Sequence, residues 1–155
     1  MTYKEYRKRE QEAFNALPIF WAFSNEQFKK AMEERGLTEN DTDQIFGIGG
    51  GGFYLRKDAE QIKAFMNRPD KLRELMENDE KFAESAFYYE MANHEYHINW
   101  QGDWDVCECF GSCEYDDDKG GADYLKEIGY SDKVVSCWFR AKNRFLKDAE
   151  RNGWY

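Results

Sequence analysis

Both histidines of this 155-residue chain, and three of its four cysteines, lie between positions 94 and 113. Glu90, His94 and His97 are spaced i, i+4, i+7, so a helix continuing past Asn93 would carry all three on one face. Cys107, Cys109 and Cys113 follow within twenty residues, and thiolates beside imidazoles are the donor set that suits zinc. The expected metal ligands are His94, His97 and two of those three cysteines. The spacing is irregular, however. Cys-x-Cys-x3-Cys is not a zinc-knuckle pattern, and His94-Glu95-Tyr96-His97 is not the His-Glu-x-x-His of metalloproteases. The competing expectation is a set of small buried thiols beside hydrogen-bonded histidines.

Two further motifs match a functional pattern by letter and fail it by context. Gly47-Ile48-Gly49-Gly50-Gly51-Gly52 spells a dinucleotide fingerprint, but Phe53-Tyr54-Leu55-Arg56 after it reads as a strand where a helix must open. A glycine turn between two short strands is expected instead. Asp116, Asp118 and Glu127 stand at positions one, three and twelve of an EF-type calcium loop, with Gly121 at its turn. Gly120 replaces a ligand and Asp123 an apolar residue, so calcium is disfavoured. The expectation is therefore no cofactor, with zinc as the alternative. Acids are too numerous for any two to be singled out as a catalytic pair, and an interaction protein is favoured over an enzyme.

Charge is the stronger signal. The net charge is −9, and it is segregated: residues 100–127 hold nine acids against two lysines, whereas residues 133–151 hold six basic residues against two acids. Aromatic rings are interleaved with the acids. Trp100, Asp103, Trp104, Asp105, Glu108, Glu114, Tyr115, Asp116, Asp117 and Asp118 are therefore the candidate partner-binding residues, offering ring anchors within a charged rim. Such a surface suits a basic protein partner. It disfavours direct nucleic-acid binding, which draws on clustered Lys and Arg. Lys133, Arg140, Arg144, Lys147 and Arg151 fall on one stripe of the last helix, expected as a solvated outer face.

The elements that would position these groups are mostly helices. Tyr3 to Ala16 reads as a charged helix ended by Leu17-Pro18, and Ile19 to Phe23 as a short apolar run, a buried strand or extended. Ser24 and Gln27 make a capping box with Phe23 stapling onto Phe28, and Asp58 and Gln61 make a second box. A helical pattern runs from Asp70 to about Asn93 with a break at Asn78-Asp79. Residues 93–121 read as irregular. A short helix around residues 124–128 follows, and Ser131 caps a final helix ended by Gly153. Phe28, Met32, Ile62, Phe65, Phe87, Met91, Trp138 and Phe145 sit on apolar stripes and are expected in the core. The fold class is α+β, predominantly α-helical, as a single compact domain over residues 1–155, with a small hairpin or sheet near the glycines. Apolar runs too short for a leader or a membrane span, and cysteines read as free thiols, point to the cytosol.

Three stretches together resemble a known family: residues 18–28, Ile48-Gly49-Gly50-Gly51-Gly52-Phe53, and Asn93-His94-Glu95-Tyr96 running into Asp103-Trp104-Asp105-Val106. The family comprises small uncharacterised proteins of phages and mobile elements of gut bacteria, and the likeness spans roughly residues 14 to 111. It assigns no functional residue. The setting implies interference with host defence, as anti-CRISPR and antirestriction proteins do, within a bacterial cytosol.

Overall fold

The computed structural model describes residues 1–154, and the chain falls into two compact units. Met1–Lys8 and the chain from Asp70 onward form one, and Arg9–Pro69 the other. Helix α1 (Tyr3–Asn15) begins in the first and ends in the second. Its start carries a capping box that sequence reading overlooked: Thr2 Oγ1 accepts from the Glu5 amide, and Glu5 Oε2 accepts from the Thr2 amide at 2.7 Å.

The unit of residues 9–69 is built on a three-stranded antiparallel sheet in the order β1-β3-β2, with β1 at Ile19–Trp21, β2 at Ile45–Gly49 and β3 at Gly52–Leu55. Gly50 and Gly51 form the hairpin turn, with φ of 58° and 83° that a side chain rarely adopts. The glycine run is thus a hairpin, as its strand-like sequel requires. Helices α2 (Asn25–Glu34) and α3 (Ala59–Met66) complete the unit around Phe20, Met32 and Ile62. Ser24 Oγ accepts from the Gln27 amide, and the Gln27 side chain reaches back to the Phe23 amide at 2.8 Å.

Several local expectations fail in this unit. Asp58 makes no side-chain cap, and Phe23 stands out in solvent instead of stapling onto Phe28. Phe28 and Phe65 are half-buried, Phe65 lying between Phe14 and the Arg68 guanidinium. A unit of this size has too little surface-to-volume advantage to enclose every ring.

The other unit is all helical among the described residues. Its members are α4 (Lys71–Asn78), α5 (Glu80–Asn93), α6 (Gly102–Glu108), α7 (Gly121–Ile128) and α8 (Asp132–Asn152). Asp70 and Asp79 cap α4 and α5, each carboxylate accepting an amide three residues on at 3.0 Å. Asp79→Ala should therefore cost about 1 kcal/mol, read from urea midpoints, with α4 and α5 both still formed by circular dichroism. Helix α5 is central, burying Phe82, Ala83, Ala86, Phe87, Glu90 and Met91. It packs along α8, whose Val134, Trp138, Ala141, Phe145 and Ala149 form the expected stripe. Ser131 stands at the start of α8 but does not cap it; its amide and hydroxyl both donate to Glu77. The Arg73 guanidinium accommodates the last carbonyls of α7, donating to those of Ile128 and Gly129. Helix α6 is the element missed in the sequence, where 93–121 reads as irregular. The observed class is α+β and predominantly helical, and no described helix is long and apolar enough to cross a membrane.

Candidate functional site

Around the buried Glu90 the expected metal cluster is only partly assembled. Glu90 is 0% exposed, and its Oε1 accepts from the Tyr3 hydroxyl at 2.7 Å and from the Arg7 guanidinium at 2.6 Å. Its Oε2 takes the Asn93 amide at 3.2 Å and lies 3.7 Å from His94 Nε2. Cys109, just past α6, brings Sγ to 3.4 Å from the same nitrogen. Glu90, His94 and Cys109 offer one ligand atom each, all within 4.8 Å of one another.

His97 is not part of this group. Helix α5 stops at Asn93, His94 is its C-cap, and Glu95 takes a left-handed φ of 49° that turns the chain away. The i+7 position is thereby lost, and His97 Nε2 instead meets the Trp154 carbonyl oxygen at 2.8 Å. Cys107 and Cys113 are buried elsewhere in the core, Cys107 with Sγ 3.6 Å from the Gly121 carbonyl. All four cysteines are free. Burial, and then the nearby Glu90 carboxylate, push the Cys109 thiol up to about 12, and burial raises Cys107 further. Burial thus disfavours the thiolate form of both. That does not suit a catalytic nucleophile.

Among the described residues one other group of metal-ligand type occurs, Glu80, Glu84 and Cys137. A cation is already there. The Arg140 guanidinium donates to Glu80 Oε2 at 2.6 Å, to Glu84 Oε1, and to Cys137 Sγ at 3.2 Å.

The acidic, aromatic stretch separates into two kinds of residue. Asp103, Trp104 and Asp105 are half-buried and hold α6 in place. Asp103 accepts from the Tyr96 hydroxyl and from the Gly121 amide that opens α7, at 2.8 Å to the amide. Trp104 Nε1 donates to the Cys113 carbonyl at 3.0 Å, and Asp105 accepts from the Asn99 amide at 2.6 Å. Trp100, Glu108, Glu114, Tyr115, Asp116, Asp117 and Asp118 are exposed. Trp100 is 80% exposed and meets Tyr115 edge-on at 6.1 Å, and Tyr115 in turn meets Trp104 at 5.6 Å. A small cleft of about 80 Å³ opens among these rings, Asp103, Asp116 and Asp117. Its far wall is fixed by the Tyr124 hydroxyl, which donates to the Asp116 carbonyl at 2.8 Å.

The EF-type positions are drawn into other bonds. Asp116 Oδ1 accepts from the Asp118 amide, and Glu127 takes the Lys119 ammonium at 2.6 Å, which holds the Glu127 carboxyl below its usual range. A groove in the unit of residues 9–69, about 540 Å³ and lined by Ala22, Phe23, Phe28, Ile45 and Phe53 among others, went unforeseen. The sequence signals for it were Phe23, in the short apolar run of residues 19–23, and Phe28, which was expected in the core.

No curated protein and no solved structure matches the chain. Residues 2–117 match a family of unknown function, DUF7659, a span that contains the Glu90 cluster, α6 and most of the acidic face. The chain belongs to that family.

Proposed function

We propose that this protein works by docking its acidic, aromatic face onto a basic protein surface. The observation that carries the reading is Trp100, a large ring 80% exposed at the edge of a stretch with nine acids and two lysines. Isolated exposed apolar residues need no explanation, but an aromatic ledge bordered by Glu114, Asp116, Asp117 and Asp118 has the make-up of an interface anchor within a charged rim. The cleft beside Trp100 combines ring faces with three carboxylates and one cation, Lys119, whose ammonium is paired with Glu127, and the excess of carboxylates suits the guanidinium or ammonium end of a partner side chain. The partner class that fits is a nucleic-acid-binding enzyme, whose phosphate-binding groove carries the complementary charge. The resemblance to proteins of phages and mobile elements makes a host defence nuclease, in the bacterial cytosol, the partner to test first.

Immobilised protein should retain such an enzyme from a bacterial lysate at low salt, and duplex DNA should compete it away. Asp116→Asn, Asp117→Asn and Asp118→Asn combined should slow association about tenfold or more at low salt, with the effect shrinking as ionic strength rises. Trp100→Ala should speed dissociation at every salt concentration. Lys133→Ala and Lys147→Ala, on α8, should change neither rate. A partner that ignores the aspartates and Trp100 but is lost with the lysines would transfer the binding face to α8 and defeat the proposal.

A further inference from the structure

We infer that Glu90, His94 and Cys109 form a three-ligand site for a transition metal of the zinc class, independent of the docking face. The ligands come from the last turn of α5, from its C-cap and from the residue closing α6, so the helix ends set their separation. In a tetrahedral zinc site with ordinary bond lengths, the sulfur-to-nitrogen edge is about 3.6 Å and the nitrogen-to-oxygen edge about 3.4 Å. The corresponding separations are 3.4 Å for Cys109 Sγ to His94 Nε2 and 3.7 Å for His94 Nε2 to Glu90 Oε2.

The surroundings are arranged as a metal site requires. Arg7 and Tyr3 both engage Glu90 through Oε1, which leaves Oε2 on the side of His94. The Asn93 side-chain amide also donates to Oε2 at 3.2 Å, so Oε1 is given over to outer hydrogen bonds while Oε2 would carry the ion beside one. Asn99 donates to both the His94 carbonyl and the Asp105 carboxylate, tying the C-cap of α5 to α6. The contrast with Glu80, Glu84 and Cys137 is informative, because there a guanidinium fills the space between the same kinds of ligand. At Glu90 the Arg7 guanidinium is bonded to Oε1, whereas the oxygen 3.7 Å from His94 Nε2 is Oε2. A borderline-soft ion is selected by one thiol, one imidazole and one carboxylate, whereas magnesium and calcium prefer all-oxygen sets. Three protein ligands leave a fourth position for water, and His94 remains 31% exposed on the solvent side.

The test uses full-length protein stripped with chelator and titrated with zinc alone, then with cobalt alone as a spectroscopic substitute. One equivalent of zinc should bind, and cobalt should give a thiolate charge-transfer absorption together with tetrahedral ligand-field bands. Cys109→Ser should abolish the charge-transfer absorption, and His94→Ala should weaken zinc binding on the order of 100-fold, a larger loss than outer-shell changes cause. His97→Ala and Cys113→Ala should leave stoichiometry and spectrum unchanged. Circular dichroism of each variant keeps loss of fold separate from loss of metal. The inference is overturned by stripped, folded protein that takes up no zinc at micromolar metal. It is equally overturned by a cobalt thiolate absorption that survives Cys109→Ser. Neither result bears on Trp100 or the aspartates, so failure here and failure of the docking proposal are distinguishable.

Discussion

Trp138→Ala should lower stability by about 3–5 kcal/mol, seen as a fall in Tm on the order of 10 °C. Trp138 is 1% exposed on the inner face of α8, edge-on to Phe87 at 5.3 Å and to Tyr96 at 6.0 Å. Removing the indole forfeits its burial, two ring contacts and the wall of α7. Gly121 opens α7 directly against that indole, where a Cβ would collide with the ring. Gly121→Ala should therefore destabilise the wild type by about 1–3 kcal/mol as overpacking. In the Trp138→Ala background the same methyl enters vacated space, so the two losses should fall short of additive. Additive losses in a double-mutant cycle would mean that α7 does not rest on Trp138.

Glu90→Ala should cost about 3–5 kcal/mol in metal-free protein, the scale for breaking a buried charged pair. The loss arises on two sides. The Tyr3 hydroxyl is left without its acceptor inside the core, and burial together with the Glu90 bond already raises the Tyr3 phenol well above its ordinary value. Arg7 is about half exposed and can return to water, so it contributes the smaller share. Glu90→Gln keeps an acceptor for Tyr3 and should recover more than half of the loss. Tyr3→Phe removes the orphaned hydroxyl, so in the Glu90→Ala background it should be neutral or slightly stabilising. Urea unfolding of the four proteins at pH 7 reads these differences. Equal losses for Glu90→Ala and Glu90→Gln would show that charge, not the acceptor for Tyr3, is what the core needs.

Local rules were legible where the cause is local. The break at Asn78-Asp79, the cap at Ser24 and the stripe through Val134, Trp138, Ala141, Phe145 and Ala149 follow from spacing and capping chemistry, and the structure has each of them. The glycine hairpin was legible for the same reason, since two successive positive φ angles need residues without a side chain. What escaped was set by tertiary partners. Helix α6 carries no capping hydrogen bond from its own Gln101 and is anchored by Asp103 to Gly121 and by Trp104 to Cys113. Those contacts are with residues outside the helix, nine and eighteen positions on, so Gly102–Glu108 looks irregular in isolation. The metal-type cluster failed in sequence for a related reason. His94 and Cys109 do come together beside Glu90, which lies one turn before the cap, but the left-handed Glu95 turns His97 away from them. Among the acids, spacing could not tell Asp103 and Asp105, which brace α6, from Asp116 to Asp118, which face water.

The division of the chain also bears on the order in which its parts can be completed. Tyr3 is a core member of the helical unit, yet its hydroxyl partner Glu90 lies 87 residues later. At a synthesis rate of roughly 5–20 residues per second, Tyr3 waits several seconds on the ribosome before that partner exists. Residues 9–69 can meanwhile close their sheet from contacts made entirely among themselves. The helical unit must then join its two ends across a loop that has already condensed, which shortens the span its chain has to close. Nascent chains stalled once Pro69 has cleared the ribosomal tunnel should thus already protect residues 9–69 from protease, while the first eight residues stay open to cleavage until α5 and α8 have left the tunnel.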